Sequence, residues 1–240
     1  MKTRILETSP QVVGRIAALL YLTTIVAGII AQMVIGGKII VDGDATTTAN
    51  NILAQKDLFQ LGFTVYMIEM ACQIAQMVLF YILLKPVNRN VALLALVFSL
   101  VGCTIKTLSR LFYIAPLLVL GGSHYLSVFN AEQIQALALL LLNVNDQTAG
   151  MALAFFGVST FINGYLIFNS NFLPRVLGVL SMLGGLGWST FLYPPLGNQL
   201  FMYILLIGLI GSLSQIVWLL ARGVNVEQWQ ERSRLQASLA

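Results

Sequence analysis

The chain is 240 residues long, 58% hydrophobic and only 9% charged, with a mean hydropathy of +0.85. A soluble domain of this length needs far more charge to cover its surface, so the composition excludes one and indicates a multi-pass membrane protein. The net charge of +4 does not point to nucleic acid, because the basic residues gather at helix ends, where anionic lipid and orientation account for them, and no nucleic-acid module is visible.

The chain begins with the basic Met1-Lys2-Thr3-Arg4. The apolar run that follows is of full membrane length and ends in Gly36-Gly37-Lys38 without a small-x-small cleavage site, so it reads as a retained first helix. Six such runs, at about 13–35, 60–84, 90–113, 147–169, 175–193 and 200–221, are each long enough to cross a bilayer. The expected fold is therefore all-α: a polytopic bundle of six helices forming a single membrane domain over residues 1–240.

The inner connections, Lys85 to Arg89 and Asn169 to Arg175, are short, polar and contain Pro86 and Pro174 where a helix must stop or start. Helices 2 and 3, and helices 4 and 5, should therefore be antiparallel neighbours. The outer connections, 38–59 and 114–146, are long for a compact bundle. In the first, Asp42-Gly43-Asp44 lacks the remaining ligands of a calcium loop and reads as a solvated turn. In the second, residues 131–142 are helical in composition but cover only about 18 Å, which predicts an interfacial or re-entrant helix.

With the N-terminus inside, Lys2, Arg4, Arg15, Lys85, Arg89, Arg175, Arg222, Arg232 and Arg234 all fall on the inner side, and only Lys38 and Lys56 fall outside. The outer segments carry Asp42, Asp44, Asp57, Glu132 and Asp146. This asymmetry predicts that both termini are cytoplasmic. Small residues at helical spacing, such as Ala27 and Ala31, Ser181 and Gly185, and Gly208 and Ser212, allow close helix approach. Tyr165, Trp188, Tyr193, Tyr203, Trp218 and Trp229 lie mainly toward span ends, as in an aromatic belt.

Three ionisable residues inside the spans are the most unusual feature: Glu69 in helix 2, with Lys106 and Arg110 in helix 3. Charge at such depth must pair or face water. Counted from the outer ends of the spans, Glu69 lies roughly 13 Å deep, Lys106 roughly 10 Å and Arg110 roughly 6 Å. Glu69, Gln73 and Gln76 share one helix face, as do Cys103, Lys106 and Arg110. With Gln32 and Asn163 as neighbours, these residues outline an outward-opening polar cavity, whose surplus positive charge favours a lipid phosphate or a carboxylate. The plainer alternative is a Glu69–Lys106 pair that fixes helix register while Arg110 reaches the outer headgroups.

Several stretches carry a family resemblance. They are Arg15 through Leu22, Asp44 through Ile52, Phe155-Phe156-Gly157, Gly164 through Ile167, Asn169-Ser170, Leu173 through Gly178, and Trp218 through Asn225 with Trp229. Together they resemble a large family of bacterial six-helix membrane proteins catalogued only as a domain of unknown function. The resemblance implies a six-helix inner-membrane protein and brings no activity or catalytic residue with it. Relatives are often acidic near Ser212 and basic near Ser99, so a functional pair there would be lost or relocated in this chain.

Other chemistries find little support. His124 is the only histidine, which excludes a bis-His haem within one chain, and no Walker A, dinucleotide, HExxH or GxSxG motif is present. Cys72 and Cys103 lie inside spans without a CxxC pair and read as packed small residues. No metal, cofactor or catalytic residue is expected. The leading expectation is a non-enzymatic protein that binds or moves a small amphipathic or anionic molecule, with membrane lipids as partners. The alternatives are an intramembrane lipid-modifying enzyme using Glu69 as acid or base, and an accessory subunit without a ligand.

Overall fold

A computed structural model describes residues 9–238, the side chains of residues 125 and 237 excepted. Lys2, Arg4, Leu239 and Ala240 lie outside the described residues. The described residues are all-helical, without strands. The principal helices are α1 (Pro10–Ile39), α2 (Ala45–Ala54), α3 (Lys56–Leu84), α4 (Arg89–Ile114), α5 (Ala131–Phe168), α6 (Arg175–Ser189), α7 (Pro194–Ala221) and α8 (Val226–Ser238). Short turns of helix at Pro116–Val119, His124–Leu126 and Thr190–Leu192 join them. Among the described residues, six helices are long and apolar enough to cross a membrane: α1, α3, α4, α5, α6 and α7.

The helices outrun their apolar cores because helical backbone continues into polar flanks until something stops it. Pro194, whose missing N–H costs nothing in a first turn, starts α7 six residues before the apolar run that marks the span. The expected separate helix at 131–142 is corrected in the same way. It forms the first turns of α5, a single helix of 38 residues, because no proline or glycine falls between Ala131 and Gly150. Asn130 and Gln133 cap its start reciprocally, at 2.9 and 3.0 Å. Helix α2 begins at Asp44, whose Oδ1 accepts the Thr47 N–H at 2.9 Å, after a turn in which Gly43 takes φ +77°.

The chain folds into two compact units, and α1, α3, α4 and α5 contribute residues to both. The described part of the first unit comprises residues 9–22, 72–103 and 151–238. In it α5 and α6 meet through bare backbone: a Cβ on Gly164 would stand 2.7 Å from the Gly178 carbonyl oxygen, and one on Gly185 would stand 2.7 Å from that of Gly157. Gly184 faces Gly208 of α7 in the same manner. Helices α3 and α4 touch through the Cys103 thiol and Met77 sulfur, 3.8 Å apart. Asn88 Oδ1 caps the start of α4, and Pro174 immediately precedes α6.

The polar helix α8, absent from the hydropathy reading, is tied to the inner connections of this unit. Trp229 Nε1 donates to the Leu83 carbonyl at 2.9 Å, Arg232 donates to the Asn169 carbonyl at 3.1 Å, and the Gln236 amide faces the Lys85 and Pro86 carbonyls. These acceptors lie at or just past helix C-termini, where carbonyls lack intrahelical partners. Trp229 thus caps the C-terminal end of α3 through its indole N–H. Trp188 packs on Phe191 and Phe201, whereas Tyr165, Tyr193, Tyr203 and Trp218 are exposed.

The second unit comprises residues 23–71 and 104–150. Its core joins Ala31, Ile35, Ile39, Ile52, Phe59, Tyr66, Tyr113 and Leu142. The rings of Phe59 and Tyr113 stack at 4.5 Å, and Tyr66 meets Tyr113 edge-on at 5.2 Å. Gly62 makes room for this stack, since a Cβ there would lie 2.5 Å from the Tyr113 hydroxyl.

Candidate functional site

The charged residues of this site lie on three helices of the second unit: Glu69 on α3, Lys106 and Arg110 on α4, and Asp146 on α5. On α3, Tyr66 and Glu69 are three residues apart, and on α4, Lys106 and Arg110 are four apart, so each helix offers an adjacent pair on one face. Lys106 Nζ donates to Glu69 Oε1 at 2.5 Å, with side-chain exposures of 17% and 4%. The α1 backbone passes close to this pair: a Cβ on Gly28 would stand 3.3 Å from Glu69 Oε1.

Arg110 is 3% exposed and is held from two directions. Its guanidinium carbon lies 3.6 Å from the Tyr66 ring centroid, and its Nη1 donates to Asn145 Oδ1 at 3.0 Å. Asn145 Nδ2 then donates to Asp146 Oδ1 at 2.8 Å. On the far side of the ring, the Tyr66 hydroxyl donates to Gln32 Oε1 at 2.6 Å. Gln32 lies in Ile30–Gly36, where α1 widens into a π-helix. Such segments change the facing of side chains along a helix and recur at functional sites.

Two buried polar atoms in this group have no hydrogen-bond partner among the described residues: Glu69 Oε2 and Arg110 Nε. One is an acceptor and the other a donor, each on a side chain already engaged through another atom. Leaving such atoms dry costs roughly 1–3 kcal/mol each, more for charged groups. The formal charges of Glu69 and Asp146 balance those of Lys106 and Arg110, so the surplus positive charge expected from the sequence is offset once Asp146 is counted.

Of the residues anticipated here, Glu69, Lys106, Arg110 and Gln32 share the second unit. Gln73 and Asn163 belong to the first. There Gln73 Oε1 is buried without a partner among the described residues, and Asn163 is half-buried. Tyr66, Asn145 and Asp146 were not anticipated. A polar interruption at Asn143 to Thr148, within an otherwise apolar helix, was the available signal for the last two. His124 is exposed on its short helical turn. Among the described residues, no three His, Cys, Asp or Glu side chains group as metal ligands.

Ser99 and Ser212 are both satisfied within the first unit. The Ser99 hydroxyl bonds to that of Ser159, and Ser212 bonds to the Tyr21 hydroxyl at 2.6 Å.

Comparison with curated proteins finds no match, and neither does comparison with solved structures. The family model described as domain of unknown function DUF4386 matches residues 16–223. The chain, a multi-pass helical membrane protein with six spans, therefore belongs to the DUF4386 family.

Proposed function

We propose that this protein sits in the cell inner membrane with both termini cytoplasmic, and that it binds or moves a small amphipathic molecule at the Glu69–Lys106–Arg110 group, on the outer side. The orientation is supported by charge. On this orientation Arg15, Lys85, Arg89, Arg175, Arg222, Arg232 and Arg234 fall at the inner side, against Lys38 and Lys56 in the outer segments. Basic segments stay inside.

The observation that carries the binding reading is the pair of buried, unpartnered atoms, Glu69 Oε2 and Arg110 Nε. A purely structural ion pair gains nothing from a dry acceptor and a dry donor. A polar head that both donates and accepts hydrogen bonds, such as a hydroxylated or zwitterionic group on an apolar tail, satisfies both. A phosphate or carboxylate on such a head would take the Arg110 donor. Native mass spectrometry of protein extracted in mild detergent tests this reading: the wild type should retain a bound small molecule that Arg110→Gln loses. Identical spectra for the two proteins contradict it.

The structural alternative draws on the closeness of the Glu69–Lys106 contact and on its position against Gly28. On that reading the pair fixes helix register, and no ligand enters.

A further inference from the structure

Within the second unit, α1 buries Ala27, Ala31 and Ile35, a stripe at i, i+4, i+8. Gly28 and Gln32 each stand one residue further round, at the edge of that stripe. The face beyond is apolar and open, with Ile29, Ile30, Met33 and Val34 between 40% and 72% exposed. Gln32 is exposed among them, about 10 Å along the helix from its end at Ile39. A side-chain amide on a lipid-facing surface is costly unless its hydrogen bonds are made. The Gln32 Oε1 accepts from the Tyr66 hydroxyl, but its Nε2 has no hydrogen-bond partner among the described residues.

This edge leads directly to the dry atoms of the charged group. Gly28, one turn from Gln32, lies against Glu69, and Tyr66, bonded to Gln32, carries Arg110 on its ring. Glu69 and Arg110 are both 3% exposed, and Glu69 Oε2 and Arg110 Nε lack partners. The first needs a donor and the second an acceptor. The formal charges of Glu69, Asp146, Lys106 and Arg110 already cancel, so a ligand with a net charge would carry an uncompensated one to this depth. A zwitterion supplies both missing partners and no net charge.

We propose that the ligand of this group is a zwitterionic phospholipid with a primary ammonium, which reaches it sideways from the bilayer past Gln32. Its ammonium donates to Glu69 Oε2, its phosphate accepts from Arg110 Nε, and the Gln32 amide donates to an ester or phosphate oxygen. The acyl chains stay in the lipid along the open face of α1. The assignment rests on the binding reading above and narrows it to one lipid class.

The test uses delipidated full-length protein in detergent, titrated with dioleoyl phosphatidylethanolamine, phosphatidylcholine or phosphatidylglycerol and read by native mass spectrometry. The ethanolamine lipid should bind about tenfold more tightly than the choline lipid, which has no N–H donor for the carboxylate. It should also bind more tightly than the glycerol lipid, which has hydroxyl donors but a net charge. Glu69→Leu combined with Lys106→Leu, which strands neither charge, should erase the preference. Gln32→Leu should weaken binding of the ethanolamine lipid about fivefold, whereas Tyr66→Phe, which keeps the amide, should not. Glycerophosphoethanolamine, the same head without tails, should not compete even in large excess. Equal affinity of the wild type for the three lipids, competition by the tail-less head, or indifference to Gln32→Leu overturns the proposal. If the wild type nevertheless retains a molecule that Arg110→Gln loses, the lipid assignment alone has failed; if it does not, binding at this group has failed with it.

Discussion

The guanidinium carbon of Arg110 lies 3.6 Å from the centroid of the Tyr66 ring, stacked on the residue whose hydroxyl reaches Gln32 at 2.6 Å. One tyrosine thus holds a buried cation with its face and the π-helical stretch of α1 with its edge.

The two roles of Tyr66 are separable. Tyr66→Phe keeps the ring beneath Arg110 and gives up the bond to Gln32, a loss of about 1 kcal/mol. Tyr66→Leu also gives up the cation–π contact, which is worth up to about 2 kcal/mol when desolvated. Chemical unfolding in detergent should rank stability as wild type, then Phe, then Leu. Equal losses for the two variants would mean that the ring face contributes nothing.

The glycines between α5 and α6 are required for space. Gly185→Val would drive a side chain into the α5 backbone at Phe161 and Gly157, so folded yield should fall severely. Gly37→Ala is the matched control: no atom lies within 4 Å of a Cβ there, and φ is −63°. Removing a helical glycine at such a site should be neutral or stabilising by roughly 0.5–1 kcal/mol. Fluorescence-detected size exclusion of the two variants checks both.

Asp44 gives a pH signature outside the membrane-spanning segments. Its carboxylate accepts hydrogen bonds from the Thr47 hydroxyl and the Thr47 backbone N–H, and these hold its pKa below the ordinary value. Because the folded-state value is depressed, the stabilisation is present above the unfolded pKa and is lost as pH falls through the folded one. Protection of the Thr47 amide, measured against its intrinsic exchange rate at each pH, should therefore fall under acid conditions in the wild type. In Asp44→Asn, which retains a cap but cannot titrate, that acid-dependent change should disappear; its persistence would assign the effect to another group.

Much of this arrangement is legible in the sequence. Six apolar runs mark the six spans, and two polar stripes on consecutive antiparallel helices place Glu69 beside Lys106. Other parts are not. Asn145 and Asp146 read as loop because a hydropathy pattern breaks at Asn143 to Thr148, although no residue there stops a helix. Helix α8 has no apolar run, and its partners are carbonyls at helix ends, which sequence periodicity does not register. The π-helical stretch around Gln32 depends on packing and leaves no mark in residue type.

Orientation can be measured independently of the site. Reporter fusions after Lys38 and after Glu132 should behave as external, and fusions after Arg89 and Arg175 as cytoplasmic. The reverse pattern would overturn the outward placement of the charged group.

The central claim is that Glu69 and Lys106 form part of a binding site and do more than lock helix register. A double-mutant cycle read by both stability and ligand retention tests it most directly. Glu69→Leu and Lys106→Leu should each cost about 3–5 kcal/mol by stranding a buried charge, and the double variant should recover most of that loss. The account predicts that the double variant melts close to wild type yet no longer retains the bound small molecule in native mass spectrometry. A double variant that recovers stability and keeps the molecule would contradict it and leave the pair a purely structural one.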